Sequence, residues 1–78
     1  MPQNHKKYPY IQSLIEKKDI QGLISEKVKV EEVIWNYSKL LSSAINELEK
    51  ENIMKSIKYE EKLLKYINEA LSKLLSSN

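Results

Sequence analysis

VEEVIWNYSKLLSSAINEL, residues 30–48, carries apolar side chains at Val30, Ile34, Tyr37, Leu41, Ala44 and Leu48, spaced 4, 3, 4, 3, 4. That spacing returns every side chain to one face of an α-helix. Continued in register, the row meets Glu51, Lys55, Lys58, Lys62 and Lys65, all charged. A second apolar row then opens out of step, at Ile53, Ile57, Leu64, Ile67, Leu71 and Leu74. A register break of this kind predicts two packed helices, not one rod. The expected fold is therefore all-α: a small helical bundle whose main part is a long antiparallel hairpin over about 30–51 and 53–75. Asn52 is the expected break, because asparagine tolerates the left-handed conformation of a helix end. Each row lasts only about three heptads, so a hairpin within one chain is simpler than a coiled-coil dimer or a kinked helix exchanged between protomers.

Upstream, Pro9 suits the first turn of a shorter N-terminal helix over about 9–18. Ile11, Leu14 and Ile15 share its inner face, and Lys17 and Lys18 suit its C-terminal dipole. Asp19 is a good N-cap for a short turn at 20–24. Gly22, the only glycine, marks the least regular stretch, and residues 25–29 are expected to join it to the main helix. Residues 1–8 and 76–78 are expected as tails around a single domain, 9–75.

A chain of 78 residues forms one domain with a modest core. It has no cysteine, so neither a disulfide nor a cysteine-ligated metal site is available. No apolar run approaches the ~20 residues that span a bilayer, and no secretory leader is legible at the N-terminus. The expectation is a cytoplasmic protein. All thirteen basic residues are lysine, and Arg, Phe and Thr are absent. An AT-rich genome produces this skew. So does adaptation to high temperature, where Lys and Glu are enriched, although six Asn and three Gln oppose the second source.

Catalytic signals are missing. His5 is the sole histidine, in the N-terminal tail, and the Glu clusters at 31/32, 47/49/51 and 60/61 have the spacing of solvated helix faces. One glycine cannot build a phosphate-cradling loop, and no nucleophile–base or metal-binding pattern occurs. The chain is expected to be no enzyme, with no cofactor and no metal.

The outward faces are more informative. With Val30 at 0° and 100° per residue, Trp35 falls near 140°, opposite the apolar row. Tryptophan is enriched among interface anchors, so Trp35 is a candidate partner-binding residue; packing against the N-terminal segment is the alternative. The last helix carries a further row, Tyr59, Leu63, Tyr66 and Ala70, roughly 100° from its first. Tyr59, Leu63 and Tyr66 are candidate partner-binding residues, unless residues 9–24 cover them. Lys55, Lys58, Lys62 and Lys65 form a basic face that could touch phosphates. The absence of Arg and a net charge of only +2 weaken a nucleic-acid reading.

In size, all-lysine basicity and Ile/Tyr/Ser-rich helices, the whole chain resembles the small helical accessory subunits of the crenarchaeal replicative family B DNA polymerase. That resemblance implies an archaeal, thermophilic source and a non-catalytic subunit that binds and stabilises the polymerase in DNA replication. Because it rests on no motif, it transfers no residue roles. The functional expectation is a protein-interaction module, free as monomer or homodimer. The alternatives are a small lysine-rich nucleic-acid-binding protein and a homodimeric helical regulator closed through the tyrosine row.

Overall fold

Asp19 decides where the longest apolar row begins. Its carboxylate Oδ1 accepts a hydrogen bond from the Gly22 N–H at 3.0 Å, and its carbonyl accepts from the Leu23 N–H at 3.0 Å. This is N-cap geometry, which satisfies donors that a helix start leaves unpaired. The helix it starts does not stop at residue 24. In the computed structural model, which describes residues 7–76, α1 spans Lys7–Glu16, α2 spans Ile20–Ser43 and α3 spans Glu47–Ser76. The expected irregular stretch at 20–29 is continuous helix. Ile20, Leu23, Lys27 and Val30 carry the heptad row upstream with spacing 3, 4, 3, and only the Lys27 stem interrupts its apolar character. Leu23 is fully buried and Val30 nearly so.

Gly22 is required by close approach, not by a turn. A Cβ there would lie 2.6 Å from Asp19 Oδ2 and 3.1 Å from Leu14 Cδ2. The cap carboxylate and α1 both crowd this position, and only glycine leaves them room.

α1 ends where Lys18 turns left-handed, at φ 56°. The Asp19 N–H donates to the Leu14 carbonyl at 2.9 Å and the Lys18 N–H to the Ile15 carbonyl at 3.0 Å. That pair of bonds is a Schellman closure, here with lysine in the place that glycine usually takes. Pro9 does lie in the first turn, as its fixed φ allows.

The hairpin turn is earlier than Asn52. α2 ends at Ser43, Ala44 is extended, and Asn46 caps α3: its Oδ1 accepts from the Leu48 N–H at 2.8 Å and the Glu49 N–H at 3.3 Å. Glu47 and Glu49 follow in the first turn, where the helix dipole favours carboxylates. Asn52 is an exposed interior residue of α3. The helices expected at 30–51 and 53–75 are therefore 20–43 and 47–76. Leu48, expected as the end of the α2 row, belongs to α3 and is 65% exposed.

α2 and α3 pack on each other as the hairpin, and α1 packs against both, running alongside α3 from Glu60 toward Leu74 at the open end. The buried residues Ile11, Leu14, Leu23, Val30, Leu63, Ile67, Ala70 and Leu71 all sit at that three-helix end. Toward the turn only two helices remain, and Ile34, Tyr37, Leu41, Ile53 and Ile57 are half-buried. The molecule is accordingly long and thin, 48 × 23 × 15 Å.

Candidate interaction surface

Extending α2 back to Ile20 puts two more residues beside Trp35. Ile24, Val28 and Trp35 are spaced 4 and 7, so they share one face, turned away from Leu23 and Val30. They are 40%, 53% and 61% exposed. The Lys39 ammonium stands 4.0 Å from the centroid of the Trp35 ring, one turn further on. This cation–π contact orients the indole without covering it. Ile24 and Val28 are not among the residues singled out by sequence. Their signal was present, but it is visible only once Asp19 is taken as the cap of the whole of α2.

The tyrosine row has an intramolecular cover. Tyr8 of α1 meets Tyr59 edge-on, with centroids 6.0 Å apart, and Tyr66 at 5.4 Å. Leu63 is 1% exposed and belongs to the core. The residues expected to face a partner, Tyr59, Leu63 and Tyr66, therefore face α1, because an amphipathic ten-residue helix has nowhere else to bury Tyr8, Ile11 and Leu14. A homodimer closed through this row would have to displace α1. Burial, followed by the neighbouring Tyr8 and Glu60, pushes the Tyr59 hydroxyl above its ordinary pKa of 10.0.

Glu60 takes the one slot in the α3 seam that lacks an apolar side chain, between Ile57 and Leu64, and it is 4% exposed. Lys7 reaches over from the start of α1, with its Nζ 3.5 Å from both carboxylate oxygens. The lysine side chain stays 39% exposed, so the pair joins core to solvent. It latches the N-terminal end of α1 at the middle of α3.

Lys55, Lys58, Lys62 and Lys65 run along the exposed flank of α3. None of them takes part in the ion pairs between described residues. Glu51, Glu61 and Glu69 lie within the same face and dilute its positive field. His5 lies outside the described residues. Among the described residues, no three His, Cys, Asp or Glu side chains come close enough to hold a metal ion. No described helix is long and apolar enough to cross a membrane. Comparison with family models, curated proteins and solved structures finds no match to this chain.

Proposed function

We propose that the protein is a non-catalytic interaction module that docks on a larger protein through the outer face of α2. One observation carries this reading: Ile24, Val28 and Trp35 form an exposed apolar stripe on the side of α2 that the bundle does not use. Their exposed surface is on the order of 300 Å², the size of the largest apolar patches on ordinary monomers, which are often functional. At ~25 cal/mol/Å², covering it is worth about 7 kcal/mol before the costs of association. Lys39, already held against the indole, supplies a charged rim. A groove lined by aliphatic side chains with a carboxylate at its edge is the complementary surface. An accessory, stabilising role is part of this proposal, and the resemblance drawn from size and composition makes a family B DNA polymerase the first partner to try.

The test is capture by the whole chain, with and without Trp35→Ala. The variant is expected to fold like the parent, because Trp35 contributes little to the core, and to lose the partner. Trp35 fluorescence is expected to be water-like in the free protein and blue-shifted in the complex. A partner held equally by both chains, with unchanged Trp35 emission, refutes the site.

A second reading rests on the four unpaired lysines of α3. If they contact phosphates, the logarithm of nucleic-acid affinity should fall against log salt with a slope of up to about −3.6 for four contacts on a duplex. No binding at low salt would remove it.

A further inference from the structure

The docking face of α2 is itself a helical seam. Ile24, Val28, Glu31, Trp35, Ser38 and Ser42 are spaced 4, 3, 4, 3, 4, and they lie about 100° round the helix from the inner row that packs on α3. All six are exposed. A row of this period is the shape that a second helix fits, and it runs for about 27 Å. Its polar side chains differ in what burial would cost. The Ser38 hydroxyl donates to the Ile34 carbonyl at 2.9 Å and the Ser42 hydroxyl to the Ser38 carbonyl at 3.3 Å, so both are satisfied within α2. Glu31 is not satisfied in this way. It lies one turn after Val28 and one turn before Trp35, and it takes part in no ion pair between described residues. No partner can cover Val28 and Trp35 without covering the carboxylate between them.

We infer that the partner meets α2 with a helix of its own, carrying an arginine or lysine in its apolar row opposite Glu31 and a carboxylate two turns away opposite Lys39. Resting on the docking role proposed above, this pattern names what the surface selects. A carboxylate taken out of water without a counter-charge opposes association, and a hydrogen-bonded cation recovers most of that cost. Lys39 completes the pattern. Its ammonium stands 4.0 Å from the centroid of the Trp35 ring and makes no ion pair between described residues, so it is held at the edge of the seam with its charge unmatched. Glu31 and Lys39 are about 12 Å apart along α2. Two residues seven or eight apart on a partner helix span that distance, and a spacing of seven keeps both on one face.

The partner's apolar residues lie between these charges, against Trp35, and beyond the cation, against Val28 and Ile24. Glu32, exposed and likewise outside the ion pairs, strengthens the negative field at the level of Glu31. Two adjacent carboxylates repel nucleic-acid phosphate and anionic lipid, so the occupant is a protein. Contact comes from Val28 and Trp35, whereas Glu31 supplies selection: an apolar helix of the same shape with a neutral or acidic residue at its centre is rejected.

The probe is a fluorescein-labelled, alanine-based helical peptide of about three heptads. Leucines and a single central arginine form its heptad row, with a glutamate one heptad from the arginine. Two companion peptides carry glutamine or glutamate in place of that arginine. Binding to the whole chain is read by fluorescence anisotropy. The arginine peptide should bind at least roughly tenfold more tightly than the glutamine peptide, and the glutamate peptide more weakly still. Glu31→Lys, a change at an exposed position whose fold circular dichroism checks, should reverse that order. Trp35→Ala should weaken all three peptides. Equal binding of the three peptides, weakened by Trp35→Ala, would leave the docking stripe standing and overturn the role of Glu31. Binding indifferent to Trp35→Ala would remove the stripe and the inference together. The inference also falls if no peptide binds. It falls as well if Trp35 emission shifts to the blue with the chain's own concentration, since a second copy then occupies the seam.

Discussion

Ile67→Ala and Leu48→Ala together test where the core of this bundle lies. Both residues belong to apolar heptad rows, and periodicity alone ranks them equally. Ile67 is fully buried where α1, α2 and α3 meet, whereas Leu48 is 65% exposed two residues past the Asn46 cap. Truncating a buried isoleucine removes its transfer energy and leaves a cavity, costing ~2–5 kcal/mol. The Leu48 N–H that bonds the cap survives truncation, and an exposed leucine side chain outside the core costs under about 0.5 kcal/mol. A domain of this size holds about 4–12 kcal/mol in all. Ile67→Ala therefore removes at least about a sixth of the stability, and Tm should fall by about 8–40 °C at ~4–8 °C per kcal/mol. Leu48→Ala should move it by less than about 4 °C. Thermal and urea unfolding followed by far-UV circular dichroism, at concentrations dilute enough to exclude association, measures both. Equal losses would refute the placement of the turn at Ala44–Asn46 and return Leu48 to the hairpin seam.

Asn46→Ala should cost ~1 kcal/mol through loss of the α3 cap, while Asn52→Ala, an exposed helix-interior change, should be neutral or slightly stabilising in the same unfolding assay. Lys18→Gly should stabilise by about 0.5–1 kcal/mol, because it relieves a left-handed lysine and keeps the Schellman closure; a loss of stability in urea would contradict that backbone assignment. Tyr59 should be among the last tyrosines to ionise in an ultraviolet pH titration. Its folded pKa is raised, so its contribution is fully present below about pH 10 and is lost as pH rises through the folded value, since the unfolded chain ionises first. Tyr59→Phe should flatten that part of the alkaline stability loss, and an unchanged profile would show that Tyr59 is not its source.

Several features were legible before any coordinates. The two out-of-step rows were enough to specify an antiparallel hairpin, because a helix cannot turn one face toward a partner in two registers at once. The third helix was legible from Pro9 and the Ile11/Leu14/Ile15 face. Asp19 was legible as a cap, but the extent of what it caps was not, since Gly22 and Lys27 break the local pattern: at Gly22 the folded-over carboxylate and Leu14 approach closely, and Lys27 is a half-buried lysine at a seam position. The turn was misplaced although its signal was present. Asn46 followed three residues later by Glu49 is a helix-start pattern, and it lay hidden inside a row whose periodicity ran on to Leu48.

The candidate surfaces divide in the same way. That Trp35 lies opposite the Val30 row follows from helical period alone, whereas only the placement of α1 elsewhere leaves it exposed. Whether the Tyr59/Leu63/Tyr66 row was free could not follow from period. Two helices each offering an unfilled apolar flank can satisfy one another or bind something else, and only the docking of Tyr8 over the tyrosines decides between these outcomes. The same holds for Glu60, whose burial makes sense only once Lys7, 53 residues away in sequence, arrives beside it. By itself, then, the sequence determined the number of helices, their pairing and the face that Trp35 occupies, because these depend on period and charge within single segments. Which apolar surface became core and which remained exposed was decided by the tertiary structure, because the ten residues of α1 can cover only about a third of the length of α3.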